Sequence, residues 1–419
     1  MITRLIVILM FLLSLDVPVK ACTIFSASKG GEIFAAKNQD YHITDTRMLL
    51  IPSNGQNYGV IHFGDKNPEG FCNTSGMNDQ GLWYAGASVP ERNDISNHYN
   101  KHVFEGELIE KVMNECADVE QAIEMFSTYY TSHWNGHFLL CDKHGNSVIV
   151  EYGEKDVTFI HGAGDYQVAT NFYLCDTLNS RWYRCYRYDT ANYMLENSDT
   201  ISIDLFRSIC DATHAEGKGP TVLSTIHDLI TGDIYIYDFH NYDEVVIINL
   251  YDELKKGEQY CKIPDYFHHI KLRKPEPDEQ VDPDFVKFKW NGDGDDYMLY
   301  CSTDPAFKTC QPVEISSTHV TMKSNMEHVF LFAIIVLMCG LLIRKKMGLS
   351  IFLCLIILFV FLSCELDILE PPSLSQIEHS YILEDLEPNS TYYWKVMAVG
   401  KNGINSQSSV QSLETRGDK

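Results

Sequence analysis

The chain has 419 residues, 45% of them apolar, which suits two or three domains with packed cores and argues against disorder. Its 57 acidic residues outnumber 33 basic ones for a net charge of −24, which excludes nucleic acid as a partner, because phosphate binding needs a Lys/Arg surplus. Beyond solubility and self-repulsion that acidity specifies little.

Residues 1–21 carry Arg4 and then the apolar run "LIVILMFLLSL", too short to span a bilayer comfortably. The run ends in Val19-Lys20-Ala21, a small-x-small cleavage site, so the segment predicts a secretory signal peptide and a mature chain that begins at Cys22. Export suits the thirteen cysteines, some of which can pair in an oxidising compartment. A lipid-modified Cys22 is the competing reading, and Lys20 fits that signal poorly.

Residues 22–262 alternate strand-like and helix-like segments. "CTIFSAS" and "EIFAAKN" read as strands around the turn "KGG". The stretch from His102 to Tyr129 has helical spacing, broken near Asp118. "HFLLCDKHGNSVIVEY" reads as a hairpin, and residues 189–213 as helical with Ser202 and Asp204 as caps. "TVLSTIHDLITGDIYIYDFHN" is a second hairpin. Strands and helices arrive in blocks, which predicts an α+β domain of antiparallel sheets covered by helices.

Residues 263–284, with "RKPEPDEQVDPD", read as a Pro-rich charged linker. Residues 285–322 and 368–416 then look like the opening and closing halves of one small all-β sandwich; "LEPNSTYYWKVMAV" resembles the corner of a fibronectin type III domain. Between the halves, within residues 327–364, lie the apolar runs 329–343 and 349–363 around "RKKMG". They predict a transmembrane helical hairpin, with Arg344, Lys345 and Lys346 on the cytoplasmic side and both sandwich halves outside. A helical hairpin buried in protein is the alternative.

A cysteine at a mature N-terminus carries both a thiol and an α-amine of pKa about 7.7–8.0, so nucleophile and base come from one residue. Here a resemblance enters. "CTIFSASKGGEIFAAKNQDY" resembles the start of the choloylglycine hydrolase family, the N-terminal-nucleophile amidases that include bile salt hydrolases and penicillin V acylases. "GMNDQGLWYAG", "GNSVIVEY", "VATNF" and "RCYRYDTA" resemble further family segments in the same order, across about residues 22–257.

The resemblance implies a four-layer αββα sandwich. It makes Cys22 nucleophile and base, with Asp40 orienting its amine, Asn171 donating to the oxyanion and Arg187 polarising the cysteine's surroundings. Lys37 stands where the family has Arg, and Ser88 where it has a second Asn; Ser88 and Asn78 are the implied substrate-binding residues. Read without the resemblance, Asp40 is a turn or cap carboxylate, Asn171 a turn residue and Arg187 a surface ion-pair partner.

The expected activity is cleavage of a linear amide C–N bond in a small-molecule acyl amide, bile-salt- or penicillin V-like, without metal or organic cofactor. An N-acyltransferase of the same family and a non-catalytic, membrane-anchored binding protein are the alternatives. The expected location is the membrane, with the catalytic domain extracytoplasmic, and homo-oligomerisation is left open. The histidines His133, His137, His214, His227 and His240 accompany no metal-binding motif and read as structural. Two pairs, Cys301 with Cys310 and Cys175 with Cys185, are candidate disulfides.

Overall fold

The computed structural model describes residues 22–91, 101–130, 136–153, 156–175, 185–316, 377–400 and 403–417. The signal peptide read at 1–21 and both apolar runs of the membrane hairpin lie outside them. Among the described residues no helix is long and apolar enough to cross a membrane. The chain divides into two units, Met1–Tyr266 and Phe267–Lys419.

The first unit opens with strands β1 (Thr23–Lys29) and β2 (Glu32–Asp40). Their turn residues Gly30 and Gly31 both have positive φ, which L-residues with a Cβ resist. A meander follows: β3 (Thr46–Ile51), β4 (Val60–Asn67), β5 (Gly70–Asn78) and β6 (Trp83–Ser88). The short β7 (His102–Val103) and β8 (Tyr129–Tyr130) bracket helices α1 (Leu108–Glu115) and α2 (Val119–Thr128). Asp118 separates the two helices and caps α2 by accepting from the Gln121 N–H.

Next come β9 (Gly136–Cys141), β10 (Ser147–Tyr152), β11 (Val157–His161) and β12 (Tyr166–Ala169). Helices α3 (Tyr186–Glu196) and α4 (Ile203–Ala212) precede β13 (Thr221–Asp228), β14 (Asp233–Asp238) and β15 (Glu244–Asn249). Ser202 caps α4, whereas Asp204 sits in its first turn. A short α5 (Leu250–Leu254) and β16 (Gln259–Lys262) complete the unit.

Two antiparallel sheets result. One runs β12-β1-β2-β13-β14-β15 and the other β11-β10-β9-β6-β5-β4-β3-β16. Strand alternation sorts their side chains. Phe25, Phe34, Ala36 and Ile226 pack under α3 and α4 with Leu195, Phe206 and Ile209. Tyr84, Leu140, Val148 and Val150 pack under α1 and α2 with Val112, Met113 and Phe126. The remaining faces stack on each other, β1 and β2 against β6 and β10 against β12. These are the four layers, helix–sheet–sheet–helix, that the resemblance implied.

The second unit is a β-sandwich. Strands β17 (Lys271–Lys274), β18 (Glu279–Val281), β19 (Val286–Gly292), β20 (Asp296–Ser302) and β21 (Val313–Ser316) precede residues 317–376, and β22 (Ile377–Leu383), β23 (Thr391–Ala398), β24 (Ser406–Ser408) and β25 (Gln411–Thr415) follow them. One sheet is β17-β19-β22; the other pairs β20 with β21 and β23, and β23 with β24 and β25. The stretches on either side of residues 317–376 therefore complete one core, in which Phe288 meets Trp394 edge-on at 5.0 Å. At the corner, Tyr392 Oη accepts from the Glu387 N–H at 3.0 Å.

Two expectations change here. Residues 263–284 are not a linker: Ile263–Tyr266 is a 3₁₀ turn with Ile263 buried, and β17 and β18 are edge strands. Pro275 and Pro283 flank those strands instead of interrupting them, and exposed charged side chains are usual on sheet edges, so edge chemistry read as linker chemistry. Cys301 and Cys310 are not bridged, since Cys310 Sγ hydrogen-bonds the Cys301 carbonyl at 3.3 Å. Cys185 is an unpaired thiol in contact with Thr170 Oγ1, so it is not bridged to Cys175.

Candidate active site

Cys22 precedes β1 on the face opposite Thr23. Thr23 shares the helix-covered face with Phe25 and Ala27, and its Oγ1 accepts from Arg187 Nη1 of α3 at 3.0 Å. Cys22 turns the other way, onto a cavity of about 350 Å³ that it lines with Lys37, Asp40, Asp65, Thr74 and Ser88. Alternation on β2 is equally decisive. Asn38 reaches back to the α4 carbonyl of Cys210 at 2.8 Å, while Lys37 Nζ donates to the Thr74 carbonyl on β5 at 2.9 Å. Gln39 crosses to Asp65 on β4 at 3.1 Å.

Behind the cysteine lies a tight polar network. The Cys22 N–H donates to Asn171 Oδ1 at 2.7 Å, and Arg187 Nη2 donates to the same oxygen at 2.9 Å. Arg187 Nη1 also donates to the Cys22 carbonyl and stands 3.8 Å from Asp40 Oδ2. Thr221 Oγ1 donates to Asp40 Oδ1, whereas Asp40 Oδ2 accepts no hydrogen bond from the described residues. One arginine thus ties together the cysteine, the asparagine and the aspartate.

Burial sets the electrostatics. It pushes the Cys22 thiol above its ordinary value, opposed mainly by the Lys37 charge. Lys37, 2% exposed, is lowered by its own burial. The Asp40 carboxyl is pushed up to about 7 by burial, against the Thr221 hydrogen bond and the Arg187 charge. The three groups that would share charge near the thiol are each pushed toward their neutral forms.

The structure gathers Cys22, Lys37, Asp40, Asn171, Arg187 and Ser88 in one place, with two reassigned contacts. The nitrogen of Cys22 is held by Asn171, not by Asp40. Asn171 spends its oxygen on that nitrogen and one amide hydrogen on the Ser88 carbonyl, 2.7 Å away, leaving one hydrogen for an oxyanion. Asn78 is a correction: it is fully buried and does not line the cavity. Its Nδ2 closes the end of α1 by donating to the Met113 and Cys116 carbonyls at 2.9 and 2.8 Å, and its Oδ1 accepts from Gln80 and Leu82 in the β5–β6 turn. Asn78 is a structural residue, because four tertiary and turn bonds leave nothing for a ligand.

Sequence reasoning missed Thr221, whose hydroxyl is the only hydrogen-bond donor found on the Asp40 carboxyl among the described residues, and whose strand register gave no chemical cue. It also missed the cavity's acidic lining: Asp65, Glu69, Glu107 and Glu110 join Asp40 against Lys37, the one cation among the described residues that line it. Burial and the neighbouring charge of Glu107 raise the Glu110 carboxyl, even though Asn73 donates to it at 2.8 Å. The histidines do other work. His227 is buried against Phe63 and Trp83 and lowered to about 3, and His214 stacks on His240. His133 lies outside the described residues.

Residues 26–242 match the family model described as acyl-coenzyme A:6-aminopenicillanic acid acyl-transferase. Among solved structures, a variant of conjugated bile acid hydrolase from Clostridium perfringens is similar at 16% identity and a TM-score of 0.48, covering 57% of this chain and 97% of that one. Penicillin V acylase from Agrobacterium tumefaciens is similar at 15% identity and a TM-score of 0.46, covering 57% of this chain and 91% of that one. No curated protein sequence matches the chain.

Proposed function

The chain belongs to the acyl-coenzyme A:6-aminopenicillanic acid acyl-transferase family, of the N-terminal-nucleophile hydrolase type, and on that premise we propose that it is a cysteine amidase cleaving a linear C–N bond. The observation that carries this reading is the placement of Cys22, its nitrogen held at 2.7 Å by Asn171 and its side chain on the cavity wall. Removal of residues 1–21 would turn that nitrogen into an α-amine. We assign the added amine hydrogens to Asp40 Oδ2, the carboxylate oxygen that accepts no hydrogen bond from the described residues.

The chemistry then balances within one residue. The amine takes the thiol proton as sulfur bonds to the amide carbonyl carbon, and the remaining Asn171 amide hydrogen meets the developing oxyanion. Collapse breaks the C–N bond, and the amine returns the proton to the leaving nitrogen. Water, deprotonated by the same amine, hydrolyses the thioester and releases the acid. Lys37 supports the sulfur's negative charge before acylation.

Among the described residues, five carboxylates and one ammonium line the cavity, which disfavours substrates with an anionic amine part. Phe71, Ile109 and Phe138 on the same walls suit an apolar acyl group, so the substrate class is a neutral or cationic acyl amide. The family's description favours a second reading, transfer of the acyl group to an amine instead of water. Adding a nucleophilic amine and measuring the amide-to-acid product ratio separates the two. Residues 1–21 and the runs 329–343 and 349–363 support export and anchoring, with the catalytic unit outside the cell or in a lumen.

Intact-mass and N-terminal analysis of the exported protein, before and after a thioester-forming acyl probe, tests the proposal. The expected result is a mature chain starting at Cys22 with one adduct on that residue. A retained leader, a blocked amine or no adduct refutes it and favours the binding-protein reading.

A further inference from the structure

We infer that Glu151, fixed in place by His137, is the positioning residue that aims Asn171 at the Cys22 nitrogen. Both side chains are fully buried and stand directly opposite each other across β9 and β10. They sit on the strand faces opposite to Leu140, Val148 and Val150, which pack under the helices, so they point into the layer between the two sheets. His137 Nδ1 lies 2.9 Å from Glu151 Oε1, and Nδ1 carries the proton that the carboxylate accepts.

The carboxylate's other partners all come from the loop after β12: the Cys175 side chain and two backbone N–H groups. Glu151 Oε1 accepts from the Leu174 N–H and Oε2 from the Cys175 N–H, each at 2.8 Å. These amides follow Asn171 by three and four residues, just after β12 leaves its sheet. One buried side chain therefore sets where the loop carrying Asn171 turns.

The same pair borders the other anchor of Asn171. Asn171 Nδ2 donates to the Ser88 carbonyl at 2.7 Å, and in the β6–β9 ladder Ser88 lies opposite Gly136 and Ala87 opposite His137. The loop after β12 and the end of β6 are thus referenced to one imidazole–carboxylate pair. Burial pushes the Glu151 carboxyl up, but the His137 contact, the Cys175 side chain and the Leu174 N–H outweigh it and hold the group below its usual range.

An apolar pair of similar volume would fill the layer at no desolvation cost and is often equally stable. What it could not do is hold two loop amides at fixed points. That requirement matters because Asn171 Oδ1 must meet both the Cys22 nitrogen and Arg187, and a displacement of about 1 Å in such a constellation costs on the order of a hundredfold in rate. Glu151 contacts no reacting atom; it acts through Asn171.

The inference rests on the amidase reading, so the test begins with the processed full-length wild type and a neutral acyl thioester probe. If the wild type forms no adduct on Cys22, the amidase reading itself has failed. Given wild-type acylation, Glu151→Gln keeps the volume but presents an amide to two N–H donors and an imidazole N–H. The expected result is a fall of about a hundredfold in the maximal acylation rate, with the probe's half-saturation constant changed less than about threefold. His137→Gln, which keeps a donor to Glu151 but shifts it, is expected to fall by about tenfold in the same parameter. Wild-type acylation rates in both folded variants, or a loss confined to half-saturation, overturn the inference. So does failure of both variants to fold, which would make the pair purely structural.

Discussion

Thr221 gives the sharpest test of how the site is tuned. Its hydroxyl donates to Asp40 Oδ1 and accepts from the Ala215 N–H at 2.8 Å. It is the largest influence opposing the burial that pushes Asp40 up to about 7. A hydrogen bond to a charged group is worth about 1.5–3 kcal/mol, and one pKa unit corresponds to about 1.4 kcal/mol. Thr221→Val should therefore move the Asp40 titration upward by about one to two pH units, and Thr221→Ser should leave it in place. The assay is the pH dependence of Cys22 acylation. In the proposed mechanism Asp40 works as a carboxylate toward the α-amine, so the rate should rise with pH through about 7 in the wild type, and this limb should move to higher pH in Thr221→Val.

Stability runs in the opposite direction. A carboxyl raised from 3.8 to about 7 binds its proton more tightly when folded, so its stabilising contribution is full below pH 3.8 and is lost as pH rises through about 7. In Thr221→Val the decline extends to higher pH. An acidic limb that stays put, or moves down, while the protein remains folded would refute the assignment of Asp40 and the reasoning behind it.

Other substitutions probe neighbouring parts. Lys37→Met removes the cation that opposes the raised Cys22 thiol, so alkylation by a neutral reagent at pH 7 should slow by about tenfold; an unchanged rate would show that Lys37 does not reach the sulfur. Asn78→Ala strands the Met113 and Cys116 carbonyls and should cost about 2–4 kcal/mol in chemical denaturation. Acylation per folded molecule should stay within about twofold, and a specific loss of acylation would restore Asn78 to the substrate site. Paired acyl amides with anionic and neutral amine parts should differ by about tenfold or more in turnover, the gap narrowing as salt screens the mouth carboxylates. Equal turnover at low salt would remove the electrostatic argument for substrate class.

Local chemistry is what the sequence determined by itself. The Gly30-Gly31 turn, the cap at Asp118 and the alternation of Phe25, Ala27, Phe34 and Ala36 each depend on neighbours within a few residues, so hairpin, helix break and buried face were readable in one dimension. It was the resemblance carried by the ordered motifs, not local chemistry, that grouped Cys22, Lys37, Asp40, Ser88, Asn171 and Arg187 into one site. Only the tertiary structure decided what each of them touches. Asn171 meets Cys22 across 149 positions, Thr221 meets Asp40 across 181, and the Asn78 amide is consumed by α1 instead of facing a ligand. Neither β17 nor β18 announced itself, because an edge strand takes its identity from its partner: β19 across an intervening strand for β17, and β25 far along the chain for β18. Glu151 and His137 read as ordinary strand residues until the pairing of β9 with β10 set them opposite each other and the stacking of the sheets closed water out around them. Periodicity fixes which face a side chain takes; the partner on that face is set by which strands pair and which layers stack, and that is a property of the whole fold.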